Sequence, residues 1–498
     1  MNASGPATGP FRAHCDVVVV GSGAGGGAAA RELAMAGLDI MVLEMGDRLR
    51  NTEMTQREEQ MMPRLYQDAG SRTTADRAIQ VLQGKGLGGS TLHNLNLCKR
   101  IPEELLEKWA REVGLVGLKE RLDPHYTAME ALLSVSHVPE AEINRNNRLL
   151  RAGATALGWT NGPLKHNRVG CIGSGFCELG CAFAAKMNSE RVLLPEAEAR
   201  GARLVTRVRV TRILHRFGRA RGVIGQVLDD RERPIAAFTV RARAVVLAAS
   251  ATGSCALVRH SGLRDPWSQA GRGLSLHPGA TVGGVFDEPV DAWRGIPQAW
   301  ECTQFLHPTD PERRVWILPV FGHPVTAAAM LPGLGVQHVE RLGQYRFLAA
   351  LSPMLHDHTQ GTVGVDRHGR PVIHYRQTPE DLAMMGRGIR ASARILLAAG
   401  AREVIIPTAH PIVVRSEAEL AKLDGWTPRS FDPPQAAVHP MGGLRMGTDP
   451  RRSATTPEGR YHQCPNLWVA DGSLFPSSTG VPPQLSIYTF GRMVGQAA

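Results

Sequence analysis

The chain has 498 residues, 43% of them apolar and 21% charged, with 57 Lys and Arg against 46 Asp and Glu for a formal charge of +11. That balance suits a folded enzyme large enough for two or three domains and excludes a disordered or fibrous protein. The positive charge does not mark a nucleic-acid binder, because Arg is interspersed with Asp and Glu and no basic run is interleaved with stacking aromatics; a basic rim attracting anionic substrates, cofactors or partners is the plainer reading.

Met1 to Phe11 is polar, rich in Gly and Pro, and lacks the charged start and apolar core of a leader. No run of 18 or more apolar residues follows, so no membrane span is expected, and a cytoplasmic location is. The first apolar run, Asp16 to Val20, is a buried strand that enters a turn, Gly21-Ser-Gly-Ala-Gly-Gly26. Ala28 to Ala36 reads as a helix ended by Gly37, and Ile40 to Leu43 as the next strand. Residues 51–80 are polar and read as a covering excursion before a second glycine loop, Gly84 to Gly89. The apolar run Ala244 to Ala249 leads into small residues, Ser250 to Ser254, and a helix, like a second strand-to-helix turn.

Residues 280–430 differ in texture, with Trp293, Trp300, Trp316, clustered His and a Met- and Leu-rich run from Ala327 to Leu355. Gly361 to Tyr375 alternates around a turn at Arg367 to Arg370 and predicts a hairpin, followed by a helix over Pro379 to Ala399. The expected fold is therefore α/β. A doubly wound, Rossmann-like domain is assembled from residues 10–290 and 435–498, and an inserted α+β substrate domain of mostly antiparallel sheet occupies 291–434.

The spacing Gly21-x-Gly23-x-x-Gly26 falls between a strand and a helix, where a dinucleotide fingerprint belongs. The first glycine permits the tight turn, and the second lets backbone N–H groups approach a pyrophosphate. The third lets helix and strand pack closely, and the helix N-terminus favours the phosphate charge. Glu44 ends the second strand, where a carboxylate accepts hydrogen bonds from ribose hydroxyls and disfavours a 2′-phosphate. FAD or NAD is expected, not NADP.

Three of the eight cysteines, Cys171, Cys177 and Cys181, fall in one eleven-residue window that an even spread would supply with roughly 0.2. Glycines at 173, 175 and 180 free the backbone to wrap around a bound group. The cluster reads as iron–sulfur ligands, as structural thiols or a disulfide, or as a zinc site.

Several segments in chain order resemble the glucose–methanol–choline (GMC) family of FAD-dependent oxidoreductases. Gly86-Leu-Gly88-Gly89-Ser90-Thr-Leu-His93-Asn94 is similar to the family segment along the flavin pyrophosphate and ring. Cys181 to Lys186 and Ala199 to Leu204 resemble the approach to the strand whose Val, here Val210, covers the adenine. Ser250 to Leu263 and Leu276-His-Pro278 resemble the second signature and its Asp-His-Pro, with Leu276 in the Asp position. His439 to Gly447 resembles the catalytic-histidine segment, and Asn466 to Gly472 the last strand, whose Asp471 and Gly472 contact the flavin phosphates.

The resemblance implies bound FAD and alcohol oxidation, with His439 as the base that withdraws the hydroxyl proton. The apolar roof, and a likeness of residues 361–404 to fatty-alcohol oxidases, favour a hydrophobic alcohol. Relatives with a 3Fe–4S cluster have cysteine spacing like that of Cys171 to Cys181, which would pair this chain with an electron-acceptor protein. One departure stands out. The family places His or Asn where Pro482 stands, and proline's side chain offers no hydrogen bond. His439 then acts alone, or Gln484 or His93 substitutes, or the chemistry is that of a lyase, isomerase or decarboxylase with flavin as scaffold.

Overall fold

The computed structural model describes residues 4–498. Its first long strand, β1 (Phe11–Val20), ends in four consecutive valines that are almost wholly buried. A strand apolar on both faces belongs in the middle of a covered parallel sheet, and β1 lies there. β2 (Ile40–Leu43) pairs with it in parallel on one side, and Pro234–Leu247 on the other, with Val17 opposite Ile40 and Ala244. Arg203–Thr206 and then Gly5–Pro6 extend the sheet beyond β2. On the far side, Leu467–Val469 pairs in parallel with Val245–Leu247. The other half of that long strand carries an antiparallel ribbon, Arg219–Leu228 and Val208–Arg216.

The turn after β1 leads into helix α1 (Ala24–Met35), which starts four residues earlier than the alanine run predicts because its first turn is Gly-rich. Its buried face is built from Ala28, Ala29, Ala30, Leu33 and Ala34, which lets the C-terminal helix, Gln484–Ala497, approach closely. A Cβ on Gly491 would stand 2.3 Å from the Gly25 carbonyl oxygen, so that crossing depends on bare backbone.

The second large sheet has ten strands and is mostly antiparallel, with Leu348–Leu355 near its centre between Val282–Val285 and Val315–Val320. It draws Ile79–Val81, Asn161–Pro163 and Gln435–Ala437 from elsewhere in the chain. Helix Pro379–Ala398 packs its Met385, Ile389 and Leu396 into the core of this sheet. The hairpin of Gly361–Val365 and Pro371–His374 forms as its alternation predicts. It joins a small sheet with Arg272–Ser275 and Met441–Gly443, next to His439.

Candidate functional site

A cleft of about 1500 Å³ runs between the two sheets, larger than the roughly 300–1,000 Å³ of single-ligand pockets. It has room for a dinucleotide and a substrate together. Gly21, Gly23, Glu44, Gly89, Ser90, Asn94, Val210, His439, Asp471 and Gly472 all line it, while Gly26 and Gly88 stand behind the wall.

Each glycine of the first turn is constrained differently. Gly21 has φ +98°, and a Cβ there would stand 2.2 Å from the Ala248 carbonyl oxygen. Gly26 packs helix on strand, since its Cβ would lie 2.1 Å from the Gly21 carbonyl oxygen. Gly23 caps α1, and the only neighbour its Cβ would find is the Cα of Gly89, at 3.9 Å. Two bare backbones thus face one another at a helix N-terminus, an arrangement suited to a pyrophosphate. Gly25, an unspecified position of the fingerprint, is the tightest: its Cβ would sit 1.6 Å from the Ala470 carbonyl oxygen.

Glu44 is 4% exposed and accepts four hydrogen bonds, from Ser22 N–H (3.2 Å), Ser22 Oγ (2.6 Å), Gly46 N–H (3.0 Å) and Gly86 N–H (3.2 Å). It ties the two glycine loops together at the cleft wall, and burial raises its carboxyl above the usual range. Asp471 is locked in the same way, by Ser254 Oγ and by Ser473 N–H and Oγ.

His439 is half-buried on the cleft wall, and burial pushes its imidazole down to about 3. Its Nδ1 lies 3.0 Å from Nδ1 of His277, the histidine of the Leu276-His-Pro278 segment, to which sequence reasoning gave no role. His277 is fully buried and holds φ +56°, unusual for a residue other than glycine. Asp357 secures it, accepting the N–H groups of Leu276 (2.9 Å) and His277 (3.2 Å) and the hydroxyl of Tyr375 (2.7 Å). The carboxylate expected at position 276 is thus supplied from 357.

Pro482 and Pro483 also line the cleft, and their side chains carry no hydrogen-bonding group. Gln484 lines the cleft, but its amide is already engaged: Oε1 accepts from Asn94 Nδ2 (2.6 Å), and Nε2 donates to Leu97 O (2.8 Å) and Asn167 Oδ1 (3.1 Å). Gln484 therefore positions Asn94 and is not a free partner for a substrate. Asn94 Oδ1 is left buried without a partner, as is Nε2 of His93, whose ring lies 3.9 Å from that of Tyr66. These orphaned atoms, with the glycine cradle, fit a ligand that brings its own polar groups into the cleft.

The three clustered cysteines line one small cavity of about 20 Å³. Cys171 Sγ accepts from Gly173 N–H and Cys181 Sγ from Ala185 N–H. Burial pushes the Cys177 thiol up to about 11, beside the buried Lys186 ammonium, which donates to the carbonyls of Leu92, Asn94 and Cys177. Among the described residues no three His, Cys, Asp or Glu side chains converge as a metal-ligand set, and every cysteine is free. The residues as placed do not fit the iron–sulfur or zinc expectation. Lys186, five residues beyond Cys181, ties this segment to the loop holding His93 and Asn94.

The fold and cleft define a Rossmann-type dinucleotide enzyme with a roofed substrate site, and comparison agrees. Models of GMC oxidoreductases match residues 62–279 and 357–491, and a model of NAD(P)-binding Rossmann-like domains matches residues 19–71. An uncharacterized GMC-type oxidoreductase of Mycobacterium tuberculosis is 38% identical over 97% of this chain and 76% of its own length. A long-chain-alcohol oxidase of Arabidopsis thaliana is 29% identical over 96% of this chain and 66% of its own. The solved structure of pyridoxine 4-oxidase from Mesorbium loti superposes with a TM-score of 0.73 at 18% identity, covering 97% of this chain and 99% of that one. The chain belongs to the GMC oxidoreductase family.

Proposed function

We propose that this oxidoreductase binds FAD and oxidises a hydrophobic alcohol to an aldehyde or ketone, with His439 as the base. FAD is the group named for formate oxidase of Aspergillus oryzae, which shares this fold (TM-score 0.69). The cradle of Gly21, Gly23 and Gly89, with Ser90, Asn94, Val210, Asp471 and Gly472 along the same wall, would hold it, and Glu44 and Gly88 would brace that wall. Bound flavin supplies a two-electron acceptor for hydride.

The observation that carries the reading is the imidazole of His439 on the wall of a cleft that has apolar sides. His439, pushed to about 3, stays unprotonated at neutral pH and can take the hydroxyl proton. Val320, Phe321, Met330 and Met354 line the same cleft and exclude water from an alcohol's alkyl portion. A long-chain alcohol fits this lining better than a sugar. The electrons that bound flavin takes from the alcohol would leave to oxygen or to another acceptor.

Pro482 supports a second reading, a lyase or isomerase with flavin as scaffold, because the cleft lacks the second hydrogen-bonding side chain at that position. Anaerobic addition of long-chain alcohols separates the two. Loss of the flavin absorbance near 450 nm with aldehyde formed is the expected result; turnover of a test substrate without bleaching would overturn oxidation in favour of the second reading.

A further inference from the structure

We infer that His277 is a positioning residue for His439, fixing through the Nδ1–Nδ1 contact which nitrogen of His439 carries the proton; the inference rests on His439 being the base. Two neutral imidazoles hold one ring proton each, and Nδ1 atoms 3.0 Å apart need one N–H between them. Two protons there would clash, and none would set two lone pairs against each other. Only one arrangement leaves His439 a base: His439 Nδ1–H donates to His277 Nδ1, so that His439 Nε2 is bare and His277 carries its proton on Nε2.

His277 Nε2 is buried without a hydrogen-bond partner, so the Nδ1 contact alone holds this arrangement through the proton transfer. When the alcohol O–H bond breaks and the N–H bond forms at His439 Nε2, the imidazolium keeps its Nδ1–H on a neutral acceptor, a charge-assisted hydrogen bond. The proton does not pass on to His277. That ring is fully buried, and burial together with neighbouring His439 and His356 opposes its charging. Nor is His277 free to turn away. Its left-handed backbone is clamped by Asp357, which also holds Tyr375, and its ring lies parallel to Trp316 at 6.4 Å. Non-glycine residues keep such backbone only where the surroundings over-determine it. Here the clamp aims the ring at His439.

The test has two readouts on the FAD-loaded protein. The first is ¹⁵N NMR of histidine-labelled protein, with the His439 signals identified by their loss in His439→Ala. Wild type is expected to show the Nδ1–H tautomer at His439, and His277→Leu to show the other tautomer or a mixture. His277→Asn, which keeps an acceptor near the Nδ1 position and tolerates positive φ, is expected to restore the wild-type tautomer. The second is flavin reduction by a long-chain alcohol in a double-mutant cycle. His277→Leu is expected to slow reduction at least tenfold with KM little changed, and to add nothing in a His439→Ala background. An Nε2–H tautomer at wild-type His439, a tautomer unmoved by His277→Leu, or an equal slowing in both backgrounds would each overturn the inference. If the tautomers behave as expected but no alcohol reduces the flavin, the pairing stands and the proposed reaction falls.

Discussion

Replacing Gly25 by Ala tests the cofactor cradle where it is tightest. The new Cβ would lie 1.6 Å from the Ala470 carbonyl oxygen, 2.7 Å from the Ala470 carbonyl carbon and 3.4 Å from the Asp471 Cα. All three are backbone atoms, so no rotamer change relieves the clash, and α1 must move by roughly 2 Å to restore ordinary contact distances of about 3.5–4 Å. Overpacking of this kind costs about 1–3 kcal/mol, partly offset by up to ~1 kcal/mol of helix propensity gained on replacing Gly. Because the displaced segment joins Gly23 to Asp471, FAD affinity falls as well, by about 5- to 150-fold if the full cost appears in binding. Gly23→Ala is the control. Its Cβ meets no protein atom closer than 3.9 Å, so the flavin-free protein changes by about 1 kcal/mol or less, the scale of a helix cap. It should still lose FAD affinity, because the methyl group occupies the cradle itself. Urea denaturation of flavin-free protein and FAD titration by fluorescence measure both quantities. Equal stability of the two flavin-free variants would refute the packing argument.

Replacing His439 with Ala should leave FAD bound and slow its reduction by alcohol by about 10²–10⁴, the range of a lost general base; stopped-flow absorbance at 450 nm reads this directly. The base works only when neutral, and burial lowers the proton affinity of His439 to about 3. Its protonation therefore removes no activity between pH 7.5 and 5.5, and a single ionisation near 6.5 in kcat/KM that vanishes in His439→Gln would contradict this. Purified protein should contain flavin without stoichiometric iron, and Ser at 171, 177 and 181 together should leave the visible spectrum unchanged. Three irons per flavin by elemental analysis would reverse that reading. Lys186→Met should loosen the His93–Asn94 loop, lowering FAD affinity more than the cysteine replacements do.

The nucleotide-binding half was legible because its signals are local. Four valines, a glycine turn, an alanine-rich helix and an acid at the end of β2 occupy one short stretch, and each has one structural use. What was illegible depends on distance in the chain. His277 and His439 are 162 residues apart and meet only because two strands of the small sheet bring their ends together. Asp357 replaces a carboxylate expected beside His277 from 80 residues away. The three-residue strands Ile79–Val81 and Asn161–Pro163 are too short to show alternation. The cysteine spacing predicted that the three thiols lie together, and they do line one cavity; whether they ligate depends on sulfur geometry that spacing does not encode.

The pairing of the first glycine turn with the last helix bears on how the chain becomes an enzyme. Gly25 has the Ala470 carbonyl on one side and Gly491 on the other, and Leu467–Val469 completes the sheet beside Val245–Leu247. The phosphate cradle at residues 21–26 is translated long before Ala470 and Gly491, and it stays open on that side until those residues have been made. Contacts of such long sequence separation form slowly, and a partly finished chain exposes apolar strand surface meanwhile. Flavin capture by this cradle would therefore follow the pairing of these distant segments. Without helix Gln484–Ala497, the backbone behind Gly25 would lose the neighbour that Gly491 provides.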